Sequence, residues 1–143
     1  MKITVETVVK SDLNTVWNSW NSPDDIKKWN QASNDWHTTS STVDLREGGK
    51  FTSRMEAKDG SVGFDFTGTY TRVEEPKLIE YQMEDGREVK TEFEERPDGI
   101  HVTETFDAES ESSPELQRQG WQAILDRFAS HVEAKGAARS TGS

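Results

Sequence analysis

The sequence contains no cysteine, and this absence removes several functional classes at once. Without thiols the chain can form neither a disulfide framework nor a zinc–thiolate site, and it offers no cysteine nucleophile. Long hydrophobic runs are also missing, since no segment approaches the ~20 apolar residues that span a bilayer. Residues Met1 to Lys10 alternate between polar and apolar, which predicts a strand and not a signal peptide. We therefore expect a cytoplasmic protein without a membrane span.

Positive charge is scarce. The chain has 17 Lys and Arg against 27 Asp and Glu, for a net charge of −10. Binding of a polyanion requires clustered cations, so we expect no nucleic-acid partner. The three histidines are scattered without ligand spacing, and we predict neither a metal site nor a cofactor.

Leu, Ile, Val and Phe are few as well, since together they make up only 26 of the 143 residues. Combined with the net charge, this composition approaches that of disordered chains. Five tryptophans and clear periodic patterns argue against disorder. The length fits one domain, which we place at residues 1–135, followed by a disordered tail at 136–143.

The clearest pattern predicts a long helix from Ser113 to Lys135. Ser113 can cap its first turn, Pro114 suits the first helical position, and Gly136 is expected to end it. A helix of this length would run for roughly 33 Å, so it needs a broad partner surface. Its apolar stripe recurs at spacings of three and four and consists of Leu116, Gly120, Trp121, Ile124, Leu125, Phe128 and Val132.

The preceding chain alternates as strands separated by turns. It predicts a first strand that ends near Val9, short helices at Leu13–Trp20 and Pro23–Trp29, an irregular loop at Trp29–Thr39, and six strands between Ser40 and Phe106. We predict an α+β fold in which a curved antiparallel sheet of about seven strands surrounds the long helix. A cavity is expected between them.

A series of short motifs occurs in a fixed order along Met1 to Glu133. They are Val16-Trp17, Pro23 through Trp29, Asp44-Leu45-Arg46 with Gly48-Gly49-Lys50-Phe51, Gly68 to Pro76, and Gly120-Trp121. Together they resemble the bacterial relatives of the C-terminal domain of the heat-shock protein 90 ATPase activator, in the START-type helix-grip superfamily. Four further motifs resemble a narrower bacterial branch that is named polyketide cyclase-like or chaperone-activator-like. They are Trp29-Asn30, Ala32-Ser33, Asp35 to Thr38, and Gly63 to Phe66.

This resemblance implies a fold and a cavity more than a reaction. Helix-grip proteins bind hydrophobic small molecules between sheet and helix, and only some of them catalyse a reaction. Our leading hypothesis is the binding of a small aromatic, polyketide-like or lipid-like molecule without covalent chemistry. One alternative is a cofactorless cyclase or hydratase. The other is a protein-interaction module that contacts a chaperone, and the oligomeric state stays open.

Glu104 is the most informative polar residue, because strict alternation places it on the same inward face as Val102 and Phe106. Three interpretations are open: a bulge that turns the carboxylate to solvent, a structural partner within the core, or a ligand contact. Burial would raise its pKa and suit it to act as a general base. In the enzyme alternative Glu104 is the base, and His37 or a tyrosine stabilises an enolate.

The remaining candidates are mainly aromatic. Trp36 and His37 lie in the predicted loop, where they could form a gate at the cavity mouth or simply pin the loop down. His101 and His131 are expected to be solvated. Gly120 is expected to let the helix approach the sheet, so that a larger side chain there would hold the two apart. The predicted ligand contacts are Trp36, His37, Phe64, Phe66, Tyr70, Tyr81, Phe93, Glu104, Trp121 and Leu125.

Overall fold

A computed structural model describes residues 1–31 and 33–141 of the chain. One antiparallel sheet holds seven strands in the spatial order β1-β7-β6-β5-β4-β3-β2. The elements follow one another as β1 (Lys2–Val9), α1 (Leu13–Asn21), α2 (Pro23–Trp29), β2 (Trp36–Val43), β3 (Lys50–Ala57), β4 (Gly63–Glu74), β5 (Leu78–Met83), β6 (Glu88–Arg96), β7 (Gly99–Asp107) and α3 (Pro114–Thr141).

The sheet curls around α3, which confirms the predicted helix-grip fold. Consecutive strands from β2 to β7 pair as hairpins, and the first strand joins the last, from Lys2 opposite Asp107 to Val9 opposite Ile100. The pairing of β1 with β7 is uninterrupted, so every second residue of both strands faces the same side of the sheet.

The two short helices form where the sequence predicts them. The Asp12 carboxylate caps α1 by accepting a hydrogen bond of 2.8 Å from the Thr15 backbone N–H. Ser22 ends α1 and caps α2, and Pro23 occupies the first turn of α2. A single residue therefore separates the two helices, which lie together over one end of the sheet.

Five aromatic rings from α1, α2, α3 and β6 close that end, and we call them the aromatic cluster. The ring of Phe128 lies 4.9 Å from that of Trp20 and 5.0 Å from that of Trp29, edge-on to both. Trp20 and Trp29 stack at 4.9 Å, while Phe93 contacts Trp17 at 5.4 Å and Trp20 at 5.7 Å. The indole N–H of Trp29 donates to the Ser19 carbonyl at 3.0 Å, so this polar atom is satisfied inside the cluster.

The two halves of α3 differ in their surroundings. Leu125, Phe128 and Val132 in the second half are fully buried, whereas Leu116 near the start of the helix is 63% exposed. Polar side chains hold α3 beside the edge strand β1, where Arg118 donates to the Thr4 carbonyl at 3.2 Å and Gln122 to the Glu6 carbonyl at 3.0 Å. These bonds also cover the free edge of β1.

Strand β2 begins at Trp36, so the predicted loop at Trp29–Thr39 is wrong over its last four residues. Trp36 lies opposite Ala57 and Thr38 opposite Met55 on β3, with a register shift between Thr38 and Ser40. The segment is too polar to be recognised as a strand from its composition. Its backbone is satisfied by pairing with β3.

Helix α3 continues past its predicted end. It runs through Gly136 to Thr141, so Gly136 does not end the helix as expected. An interior glycine costs about 1 kcal/mol relative to alanine, which a long helix tolerates. Residues 136–141 are thus helical where a disordered tail was predicted, and Gly142 and Ser143 lie outside the described residues. The domain boundary at 135 stays a prediction.

Two leucines on α3 offer a matched test of this asymmetry. Leu125→Ala removes a fully buried side chain and should lower the free energy of unfolding by about 2–5 kcal/mol. Leu116→Ala removes a largely exposed one and should change it by less than about 0.5 kcal/mol. Urea denaturation of both variants measures the difference, and equal losses would mean that the first half of the helix also anchors it.

Candidate functional site

A cavity of about 470 Å³ lies between the first half of α3 and the inner face of the sheet, and Trp20 on α1 with Ile26 and Trp29 on α2 also line it. Its volume falls within the ~300–1,000 Å³ of small-molecule sites. Two of its lining residues, Phe64 and Leu116, are 46% and 63% exposed, so the cavity opens to solvent where they lie. Its walls are largely aromatic and aliphatic, and include Trp36, Phe51, Phe66, Trp121, Ile124 and Met83.

Packing among the wall residues fixes the shape of the cavity. The Phe51 ring meets the Tyr81 ring edge-on at 4.7 Å, directly over Gly68. A Cβ atom at Gly68 would lie 2.6 Å from Phe51 and 2.9 Å from Tyr81, so only glycine leaves room for this contact. On the helix side, Trp121 stacks on Phe106 at 4.0 Å with the rings nearly parallel. The aromatic walls are therefore held in place by further rings.

Glu104 lies on the floor of the cavity. It is only 5% exposed, which excludes the interpretation that its carboxylate turns to solvent. The Thr91 hydroxyl donates to its Oε2 atom at 3.4 Å. Burial raises the pKa of Glu104 to about 8, and the hydrogen bond from Thr91 lowers it by a smaller amount. The side chain therefore holds its proton at neutral pH.

Two tyrosines continue this polar floor. Tyr70 on β4 lies opposite Tyr81 on β5, and both line the cavity. Burial raises the pKa of the Tyr70 phenol and also that of Tyr81, which the nearby Glu104 carboxyl raises further. Both phenols thus remain neutral and can donate hydrogen bonds.

Two charged residues also line the cavity, and one of them, Arg87, lies close enough to Tyr81 to offset part of the rise that burial causes in the pKa of that phenol. Arg87, in the turn between β5 and β6, pairs with Asp85 at 2.7 Å, and Glu109 follows β7. Gln117 on α3 fixes the loop that carries Glu109, since its amide oxygen accepts from the Glu109 N–H at 2.8 Å. Its amide nitrogen donates to the carbonyls of Glu109 at 3.1 Å and Ser112 at 2.8 Å. The loop beside the cavity is therefore tied to the helix.

Seven of the predicted contact residues do line the cavity: Trp36, Phe64, Phe66, Tyr70, Tyr81, Glu104 and Trp121. Trp36 reaches it from strand β2 and not from a loop, and its ring lies 5.9 Å from that of Phe64.

The other three predicted contacts do not line it. Phe93 and Leu125 face inward as expected, but both are buried at the closed end, where Phe93 packs against Trp17 and Trp20. His37 alternates with its inward neighbours Trp36 and Thr38 on β2 and lies opposite Glu56. His37 therefore cannot act together with Glu104 as the enzyme alternative required.

Sequence reasoning missed two features of the site. Thr91 shares the inward face of β6 with Val89 and Phe93, so the alternation that found Glu104 could also have found its hydrogen-bond donor. Gly120 was expected to bring the helix close to the sheet. Instead, a Cβ atom there would meet nothing within 4 Å, because the residue faces the open cavity.

The histidines and acidic residues do not gather into a ligand set. Within residues 1–31 and 33–141, no group of three or more His, Asp or Glu side chains could hold a metal ion. His131 is not solvated as predicted, because it lies 2.7 Å from Asp25 between α3 and α2, where Lys135 also pairs with Asp25 at 3.2 Å. No helix in the described part of the chain is long and apolar enough to cross a membrane.

The curled sheet, the long helix and the apolar cavity between them define a helix-grip protein. The family model described as "Activator of Hsp90 ATPase homolog 1-like protein" matches residues 10–133, and the chain belongs to this family. This confirms the resemblance inferred from the motifs.

Solved structures agree with this assignment. The chain is 54% identical to an AHSA1-like protein from Aeromonas hydrophila, with 95% of this chain and 94% of that chain covered and a TM-score of 0.89. It is 47% identical to a protein from Cytophaga hutchinsonii, with coverage of 94% and 93% and a TM-score of 0.81. A protein from Nitrosomonas europaea shares the fold at 18% identity, with coverage of 96% and 97% and a TM-score of 0.82. No curated protein matches the chain.

Glu104 should make the stability of the protein depend on pH in a defined direction. The folded protein holds the Glu104 proton up to about pH 8, whereas the unfolded chain releases it near 4.5. Between these values the unfolded state binds fewer protons, so this residue lowers stability as the pH rises. Glu104→Gln removes the effect, and its stability relative to the parent should grow by about 1.4 kcal/mol per pH unit across the window.

Urea denaturation near pH 5, 6.5 and 8 provides the measurement. Glu92→Gln is the matched control, because Glu92 lies on the neighbouring strand with its side chain 53% exposed. If the free energies of unfolding of Glu104→Gln and of the parent changed with pH in parallel, the prediction would be wrong, because Glu104 would then titrate like an exposed carboxyl.

Proposed function

We propose that this protein binds a small, largely apolar molecule in the cavity between α3 and strands β3 to β5. The single observation that carries the proposal is a cavity of about 470 Å³ that has aromatic walls and is open to solvent. A space of this size would normally be filled by side chains, because empty apolar volume destabilises a fold. A ligand would supply the missing contacts.

The contrast between the two ends of the helix supports this function. In the aromatic cluster Trp17, Phe93 and Phe128 are buried away from the cavity, and only Trp20 and Trp29 border it. At the other end Trp121, Ile124 and Phe66 are only partly buried, although they pack against the core. Apolar side chains that remain partly uncovered in a concave site are typical of ligand-binding pockets.

One observation favours a second candidate, a cofactorless acid–base enzyme. Glu104 and Tyr81 share the cavity floor closely enough for the carboxyl to raise the pKa of the phenol. The ionised fraction of Glu104, which grows as the pH approaches 8, could take a proton from the carbon next to a ligand carbonyl, while the neutral Tyr81 phenol donates a hydrogen bond to the enolate oxygen. Deuterium exchange into the methyl group of bound 2-acetylnaphthalene, followed by NMR, tests this candidate. Equal exchange rates with the parent and with Glu104→Gln would remove it.

The chaperone contact and the cytoplasmic location stay predictions. Neither depends on the cavity, and the proposal of ligand binding does not require them.

Gly120 provides a direct test, because its Cβ position opens into empty cavity space. Gly120→Leu should fill part of the cavity and weaken the binding of the neutral fluorescent probe N-phenyl-1-naphthylamine by about tenfold or more. Gly120→Ala occupies little of that space and should keep the affinity. Because a helical glycine is replaced in both, each variant should be as stable as the parent or up to about 1 kcal/mol more stable.

Fluorescence titration and urea denaturation measure the two effects. If Gly120→Leu bound the probe as well as Gly120→Ala does, the probe would lie elsewhere. If neither fluorescence nor native mass spectrometry detected binding of neutral apolar compounds to the parent, the proposed function would be wrong.

A further inference from the structure

Four adjacent strands each place one polar group on the inner face of the sheet, and we call this row the polar floor. Tyr70 on β4 is the register partner of Tyr81 on β5, and Thr91 on β6 is the partner of Glu104 on β7. Elsewhere the inner faces of β5 to β7 carry apolar residues such as Ile79, Met83, Val102 and Phe106. The polar floor thus interrupts an apolar surface on β5 to β7, and Ser53 on β3 adds a further hydroxyl to the cavity lining.

The polar floor has unused hydrogen-bonding capacity. Within residues 1–31 and 33–141, neither tyrosine hydroxyl has a hydrogen-bond partner, and Glu104 has only Thr91. No described side-chain nitrogen or oxygen is both sealed from solvent and without a partner. Each hydroxyl therefore has some access to solvent, and both tyrosines line the cavity. A ligand that satisfied them would avoid the cost of burying unpaired polar groups.

The charges around Glu104 decide what it can bind. Of the described residues that line the cavity, the other titratable or charged ones are Tyr70, Tyr81, Arg87 and Glu109. Helix α3 contributes only uncharged groups, and the β1 partner of Glu104 is Val5. No cation in the described chain pairs with Glu104, while Arg87 is engaged by Asp85. Because burial raises its pKa to about 8, Glu104 is a neutral hydrogen-bond donor at physiological pH.

We propose that the buried end of the ligand is an uncharged carbonyl oxygen, which accepts hydrogen bonds from Glu104 and Tyr81, and that carboxylate ligands such as fatty acids are excluded. The inference rests on the proposed function and specifies its ligand class. A carboxylate at the polar floor would lose its hydration without gaining an unpaired cation, because Arg87 near Tyr81 already pairs with Asp85, whereas a ketone would lose little. The aromatic walls formed by Phe51, Phe66 and Trp121 would hold the apolar body of the ligand.

Four compounds with one naphthalene skeleton test the proposal by isothermal titration calorimetry. They are 2-acetylnaphthalene, the hydrocarbon 2-ethylnaphthalene, the carboxylate 2-naphthoate and the amine 2-(aminomethyl)naphthalene. Near pH 6.5 the ketone should bind about tenfold or more tightly than the carboxylate, and more tightly than the hydrocarbon. Near pH 9, one unit above the pKa of Glu104, the affinity of the ketone should fall by about tenfold because the donor proton is lost.

Three variants assign the effect to the polar floor. Glu104→Gln keeps a donor that cannot ionise, so the affinity for the ketone should no longer depend on pH. Tyr81→Phe should weaken ketone binding about threefold to tenfold and leave hydrocarbon binding unchanged, because it removes only the hydroxyl. Glu92→Gln alters an exposed carboxyl on the neighbouring strand and should match the parent in every titration.

The outcomes distinguish a failure of this inference from a failure of the proposed function on which it rests. If the hydrocarbon binds but the carboxylate or the amine binds as tightly as the ketone, or if ketone binding by the parent does not change with pH, the inference is wrong and apolar binding stands. If no compound binds, the hydrocarbon included, both the inference and the proposed function are contradicted.

Discussion

The contact of Phe128 with Trp20 and Trp29 determines where α3 can lie, and the cavity follows from it. These three rings meet within about 5 Å of one another and fix the second half of the helix against α1 and α2. From that anchor the helix extends back across the concave face of the sheet. The first half is held at its side, by Arg118 and Gln122 against β1 and by Trp121 against Phe106, and the cavity lies between it and the remaining strands. The same packing that stabilises the fold therefore creates the site.

The floor of that space differs from its walls in a way that packing alone does not require. A core position like that of Glu104 is normally apolar, and a buried carboxyl without a cation destabilises the folded protein at neutral pH. Its only hydrogen bond among the described residues comes from Thr91. A residue that costs stability at this position is consistent with a role in ligand recognition, which is the basis of both functions proposed for the cavity.

Strand periodicity predicted the part of the site that lies on continuous strands. Alternation with Val102 and Phe106 placed Glu104 inward, and the prediction holds because β7 pairs with β1 without a register shift. The prediction failed for Phe93 and Leu125, which were expected to line the cavity. A periodic pattern identifies the residues that face inward, but it does not show where along the sheet or helix the cavity lies. Whether an inward residue meets the aromatic cluster or the open space depends on the three-dimensional course of α1 and α3.

Two other failures have different physical causes. Trp36 to Thr39 form part of a strand although their composition is polar, since backbone pairing with β3 stabilises them without a hydrophobic pattern. Gly120 lies in the apolar stripe of α3, and a small residue there suggests close packing. The structure shows the opposite arrangement: Gly120 borders an open space, and no neighbouring atom requires a small residue there. The sequence alone does not show whether a small residue allows close packing or borders an open space.

Intermolecular nuclear Overhauser effects between isotope-labelled protein and bound 2-acetylnaphthalene would test the central claim most directly. We expect contacts from the naphthalene protons to Phe66, Trp121 and Ile124, which line the cavity, and none to Leu125 or Phe128, which lie at its closed end. Contacts confined to residues on the outer face of the sheet would contradict the account, because they would place the apolar ligand outside the space between helix and sheet.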